Sequence, residues 1–190
     1  MNVPNAITSL RICLIPVFGY LWWRGLYGAA LTVFVLAAIS DLADGFAARV
    51  LNQKSKLGQI LDPAADKFML LVSFLVAAHT DAVPVWLAAL VIGRDAVLAS
   101  GGALFAFVWR GRFAPERWKP TRIGKYATFV QVLTIGLALL HRVSEYEKLR
   151  PFVGTLVINC AALTTISGIQ YVAFGIRALQ GDKLAAGGQA

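Results

Sequence analysis

Residues 41–66 read DLADGFAARVLNQKSKLGQILDPAAD, placing Asp41, Asp44, Asp62 and Asp66 in a 190-residue chain that is 58% hydrophobic and only 15% charged. A carboxylate in the hydrocarbon of a bilayer costs several kcal/mol on insertion scales, so four of them call for a compensating cation or a water-filled site. Helical spacing gathers them. Asp41, Asp44, Gly45 and Ala48 follow an i, i+3, i+4, i+7 pattern and share one face, as do Gly58, Asp62 and Asp66. A turn at Asn52-Gln53-Lys54-Ser55 predicts an antiparallel helical hairpin in which Asp41 faces Asp66 and Asp44 faces Asp62. Gly45, Ala48 and Gly58 keep side-chain bulk out of the space between, so a backbone or a ligand can approach closely. Carboxylate oxygens clustered this way suit hard divalent cations, Mg²⁺ or Mn²⁺ ahead of Ca²⁺.

Outward from this stretch, apolar runs long enough to cross a bilayer recur at about 8–23, 27–51, 57–78, 84–109, 123–140 and 152–174. They predict an all-α fold, an integral membrane bundle of six transmembrane helices. One domain covers 1–180, and 181–190 reads as a flexible tail. The opening MNVPN has no charged leader ahead of a short apolar run, so the first span is expected to be retained. Trp22 and Trp23 read as an interfacial anchor. Pro63 falls near the start of the third span, where a first-turn N–H needs no intrahelical partner. Cys13 and Cys160 suggest neither a disulfide framework nor a zinc site and are expected as free buried thiols.

The formal net charge of +8 is spread over spans and short loops, which points to an anionic lipid surface and away from nucleic acid. Only Arg24, Arg142, Lys148 and Arg150 lie on the flank that six spans would place opposite the termini. Nearly all the other cations lie on the terminal side, so the positive-inside bias puts the N-terminus, and the mouth of the acidic hairpin, in the cytoplasm or matrix. Asp44 and Asp62 then sit roughly 13 Å from the turn, a depth that a soluble nucleotide group can reach from water.

Written as a pattern, the stretch is Asp41-x2-Asp44-Gly45-x2-Ala48-Arg49-x8-Gly58-x3-Asp62-x3-Asp66. It resembles the signature of the CDP-alcohol phosphotransferase (CDP-alcohol phosphatidyltransferase) family at all eight specified positions. PNAITSLRI near the N-terminus and GKYATFVQ later in the chain extend the resemblance over most of its length. The resemblance implies a homodimeric membrane enzyme, dependent on Mg²⁺ or Mn²⁺ in a two-metal site. Its reaction transfers the phosphatidyl group of CDP-diacylglycerol to an acceptor hydroxyl and releases CMP. It further implies that Asp41, Asp44, Asp62 and Asp66 bind the metals, with Asp66 also the base that deprotonates the acceptor. Gly45, Ala48, Arg49, Asn5, Thr8 and Gly58 would contact the cytidine diphosphate part. Displacement at a diphosphate needs charge neutralised on the attacking and leaving oxygens, which is what a two-metal clamp supplies.

Two subfamilies share the N-terminal pattern carried here by Pro4, Asn5, Thr8 and Arg11, and a later element matched by Gly124-Lys125, Thr128 and Gln131. These are the eukaryotic-type cardiolipin synthases, whose acceptor is phosphatidylglycerol, and the phosphatidylglycerophosphate synthases, whose acceptor is glycerol 3-phosphate. Trp118-Lys119-Pro120-Thr121, the run from Pro16 to Leu21, and Arg94-Asp95 lean toward phosphatidylglycerol. Both acceptors carry a phosphate, so Arg94, Arg122 and Lys125 are candidate contacts in either case. Arg94-Asp95 has a plainer reading beside this one, an internal ion pair that makes a buried charge tolerable. A metal-ion transporter is the competing class. It would need polar residues continuing toward the outer face, where the spans are almost wholly apolar.

Overall fold

Glycine, aspartate and proline set the helix ends. Gly25, at φ 74°, closes the first helix: its N–H bonds the Trp22 carbonyl and the Leu26 N–H bonds the Leu21 carbonyl, both at 2.9 Å. This paired closure needs a left-handed residue, which glycine supplies without steric cost. The third helix ends in the same way at Asp81, with φ 53°. There the Asp81 N–H reaches the Ala78 carbonyl and the Ala82 N–H the Ala77 carbonyl, at 3.3 and 2.8 Å. Aspartate is among the few side chains that tolerate this conformation. Pro84 then prevents continuation and precedes the next helix.

The computed structural model describes the backbone of residues 3–50, 58–108, 121–144 and 146–187, and side chains within 9–40, 64–101, 121–144 and 146–176. Among the described residues six α-helices follow one another: α1 Val3–Trp23, α2 Tyr27–Val50, α3 Gly58–His79, α4 Val85–Val108, α5 Arg122–Ser144 and α6 Arg150–Gly187, with a short 3-10 turn at Glu147–Leu149 before the last. Among the described residues there is no strand. Five helices lie within a few residues of the expected spans. α6 is the exception, since it runs on from Phe174 to Gly187, where Ala, Leu, Gln and Lys are all good helix formers. α3 begins at Gly58, so Pro63 falls in its second turn and beyond the first-turn position expected for it. The turn at 52–55 lies outside the described residues.

α1 packs against both α2 and α3; α5 also packs against α2 and α3, while α6 joins α4 to α5. Phe18 and Trp22 are fully buried at the centre of the α1 contacts. They meet edge to face at 5.6 Å and 89°, and Phe18 also contacts Phe34 of α2. Phe74, Leu87, Ile135 and Leu139 complete the core from α3, α4 and α5. The end opposite the acidic stretch is fastened by hydrogen bonds: Trp22 Nε1 donates to Thr80 Oγ1 at 3.0 Å, and Arg142 donates to the Thr80 carbonyl. Both cysteines are free; Cys160 is buried as expected, whereas Cys13 lies on the outer surface of α1.

Large apolar side chains also cover the outside, among them Phe68, Trp86, Phe129, Phe152, Ile158 and Ile169. Among the described residues, two helices are long and apolar enough to cross a membrane, Arg122–Ser144 and Glu147–Ile176, and Ser9–Trp23 and Tyr27–Ser40 are shorter apolar helices. α1 packs tightly on α3 at Gly19, where an added Cβ would stand 2.8 Å from Val72 Cγ1. Val72 is β-branched and stiff in a helix, so it cannot swing clear. Gly19→Ala should therefore destabilise the bundle by about 1–3 kcal/mol, read as a lowered thermal midpoint in detergent. An unchanged midpoint would mean the two helices separate freely.

Candidate active site

Arg11 arrives on the third turn of α1 and is 3% exposed, too buried for a guanidinium to go unpaired. Its Nη1 donates to Asp66 Oδ1 on α3 at 2.9 Å. Asp66 is 48% exposed, so the carboxylate that neutralises a buried cation also lies half at the surface. The pair stands at the edge of a cavity of about 370 Å³ bounded by α1, α2, α3 and α5. Thr128 is its other polar wall, and Phe34, Ala37, Met69, Leu70, Phe129 and Val132 make the remainder apolar. A charged group thus borders a surface suited to hydrocarbon.

A second set of charges begins one residue further along α3. Lys67 Nζ donates to Asp95 Oδ2 of α4 at 2.8 Å, and Arg94 Nη1 donates to Asp95 Oδ1 at 2.6 Å. Arg94 is buried; its Nη2 donates to Ser167 Oγ of α6 at 2.7 Å, and its guanidinium lies over the Tyr171 ring, 5.6 Å from the centroid. The internal ion pair expected for Arg94 and Asp95 is therefore present, with Lys67 as a third member. Arg122 and Lys125 are exposed on the first turn of α5, three residues apart and so on neighbouring positions of one face. Thr121 caps that turn, its Oγ1 accepting the Gly124 N–H at 3.0 Å.

Of the carboxylates expected to hold metal, Asp66 is the one whose side chain is described. Asp41 and Asp44 lie on α2 and Asp62 on α3, and the helical backbone of both segments keeps their predicted spacing. Their side chains lie outside the described residues, as do those of Gly45, Ala48, Arg49, Gly58, Asn5 and Thr8, and with them the proposed facing of Asp41 with Asp66 and Asp44 with Asp62. Among the described residues no three His, Cys, Asp or Glu side chains gather. The donor chemistry of the aspartate set, all carboxylate oxygen and half-open to water at Asp66, fits a hard divalent cation.

A family model described as CDP-alcohol phosphatidyltransferase matches residues 1–167. The chain belongs to that family. Among CDP-alcohol phosphatidyltransferase relatives, it is 35% identical over 194 residues to a Rattus norvegicus protein named cardiolipin synthase (CMP-forming), covering 94% of this chain and 63% of the relative's length. It is 33% identical over 181 residues to CDP-diacylglycerol--glycerol-3-phosphate 3-phosphatidyltransferase of Aquifex aeolicus, covering 93% of this chain and 97% of the relative. The Pseudomonas fluorescens protein of the same name is 44% identical over 147 residues, covering 73% of this chain and 72% of that one.

The sequence pattern of this phosphatidyltransferase-family chain carries Arg11 without a role, counts Lys67 only as a flanking cation and assigns nothing to Ser167 or Tyr171. A signal for the last two was present: Thr164, Ser167 and Tyr171 form an i, i+3, i+7 polar stripe along one face of α6. Thr164 accepts from Gln131 Nε2 at 3.1 Å, and Ser167 and Tyr171 receive Arg94, so the stripe is the seam that α6 presents to α5 and α4.

Proposed function

We propose that this chain is a membrane-embedded phosphatidyltransferase that moves the phosphatidyl group of CDP-diacylglycerol to the hydroxyl of phosphatidylglycerol, releasing CMP. The observation that carries the reading is Asp66. It is the last aspartate of the eight-position pattern, held by a buried Arg11 and half-exposed at the edge of an apolar cavity. Six spans hold the bundle in the bilayer, with the N-terminus and the acidic end toward the cytoplasm or matrix. The apolar outer faces of the described helices support embedding in a bilayer, and the lysine and arginine bias of the sequence supports the orientation. A homodimer belongs to the reading through the family resemblance.

The reaction asks little of the protein beyond positioning and a proton acceptor. Asp66 takes the proton of the acceptor hydroxyl as its oxygen forms a bond to the phosphatidyl phosphorus. The bond from that phosphorus to the bridging oxygen breaks, and CMP departs with the electron pair. Asn5, Thr8, Gly45, Ala48, Arg49 and Gly58 bind the cytidine diphosphate part, and Arg122 and Lys125 face the acceptor's phosphate. Asp41, Asp44, Asp62 and Asp66 would hold Mg²⁺ or Mn²⁺, which would supply charge neutralisation on the attacking and leaving oxygens. The cavity walls from Phe34 to Val132 offer a lipid chain an apolar bed beside the carboxylate.

Glycerol 3-phosphate is the second reading for the acceptor, favoured by the names of the Aquifex and Pseudomonas relatives. Purified protein given labelled CDP-diacylglycerol with phosphatidylglycerol or glycerol 3-phosphate in separate reactions decides between them. Cardiolipin as the labelled lipid supports the first acceptor, and phosphatidylglycerophosphate replaces it with the second. CMP release with neither acceptor sinks the proposed activity.

A further inference from the structure

Arg122 and Lys125 stand on a helical turn that is braced from behind by side chains the proposed reaction does not use. Tyr171 of α6 accepts the Thr121 N–H through its hydroxyl at 3.1 Å, while its ring lies against the guanidinium of Arg94. Arg94 is in turn fixed at both terminal nitrogens, by Asp95 on its own helix and by Ser167 one turn before Tyr171 on α6. Asp95 also receives Lys67, the neighbour of Asp66. A continuous chain of contacts therefore runs from the carboxylate helix α3, through α4 and α6, to the start of α5.

Gly124 shows how closely the brace is fitted. A Cβ there would stand 3.0 Å from the Tyr171 hydroxyl, 3.2 Å from Thr121 Oγ1 and 3.4 Å from Arg94 Nη2. Glycine thus lets the hydroxyl and the guanidinium reach the helix backbone at this point. For Arg94 to bind a substrate phosphate directly, it would have to leave Asp95 and Ser167 and come away from the Tyr171 face while remaining buried. Each of these contacts would be given up in surroundings with little water to replace it.

We propose that Arg94 and Tyr171 are positioning residues that hold the first turn of α5, and with it Arg122 and Lys125, at the setting the acceptor's phosphate requires. The proposal rests on the phosphatidyltransferase reading for its consequence in turnover, and on geometry alone for the bracing itself. It predicts a separation between the two substrates. Loosening the first turn of α5 weakens the acceptor and leaves CDP-diacylglycerol, whose cytidine diphosphate part is held at α1, α2 and α3, nearly unaffected.

Tyr171→Phe keeps the ring under Arg94 and removes only the hydroxyl, so the fold is expected to survive. In the purified full-length protein this variant should raise the acceptor KM about tenfold, with the CDP-diacylglycerol KM changed less than about twofold. Amide deuterium exchange should quicken over residues 121–128 and stay constant over 64–79. Gly124→Ala should reproduce these effects by displacing the hydroxyl. The double variant should be no worse than either single one, because the new methyl enters the space the hydroxyl has left. An unchanged acceptor KM, an equal rise in both KM values, or unchanged exchange at 121–128 would each overturn the proposal. If the wild-type protein releases no CMP with either acceptor, the enzymatic reading falls by itself. Exchange then still decides the brace: quickening at 121–128 upholds it, and no change refutes it.

Discussion

Asp66→Asn protein is expected to stay folded in the membrane while CMP release falls by about 10³-fold, the range over which removing a positioned acid or base acts. The substitution is nearly isosteric, and the asparagine Oδ1 can still accept the Arg11 Nη1 hydrogen bond seen at 2.9 Å. Arg11, at 3% exposure, thus keeps a partner, and the bundle keeps the contact between α1 and α3. What the variant loses is the negative charge that accepts a proton and attracts a cation. Initial rates of labelled CMP release, measured beside thermal unfolding of the same preparation, separate chemistry from folding. Turnover near that of the wild type would reject Asp66 as the base.

Exhaustive chelation should be nearly as severe. A diphosphate displacement leaves charge on the entering and departing oxygens, and bound divalent cations supply several kcal/mol of stabilisation to it. Removing them with EDTA is expected to slow turnover at least about hundredfold, since each factor of ten corresponds to roughly 1.4 kcal/mol. Added Mg²⁺ or Mn²⁺ should restore the rate, and Ca²⁺ should do so less well because its looser coordination suits the reaction poorly. Full activity after exhaustive EDTA treatment would remove the metals from the mechanism.

Helices were the legible part of the chain, because apolar runs bounded by Gly25, Pro84 and Pro120 announce their own ends. α6 outran its expected limit because its continuation is broken by Arg177, Asp182 and Lys183 yet consists mostly of helix-forming residues, so hydropathy and propensity part company after Phe174. At the site, the spacing of the aspartates was local information and could be read directly. Arg94 was half-read: adjacency to Asp95 suggested the ion pair, but Ser167 and Tyr171 lie more than seventy residues away in sequence. Such a meeting depends on how α4 and α6 pack, which no local pattern encodes. Lys67 was passed over for the opposite reason, since a cation beside Asp66 reads as ordinary flanking charge until α4 is seen opposite it.

The adjacency of Asp66 and Lys67 also bears on how α3 is set about its own axis. Successive residues of an α-helix point about 100° apart, and these two point at different neighbours, Asp66 at Arg11 of α1 and Lys67 at Asp95 of α4. Turning α3 by one residue in one sense would bring Lys67 to Arg11, cation to cation. Turning it in the other sense would bring Asp66 to Asp95, anion to anion. Two consecutive side chains of opposite sign thereby act as a key with a single fit, and the angle they enforce is the one that turns the Asp66 carboxylate toward the cavity.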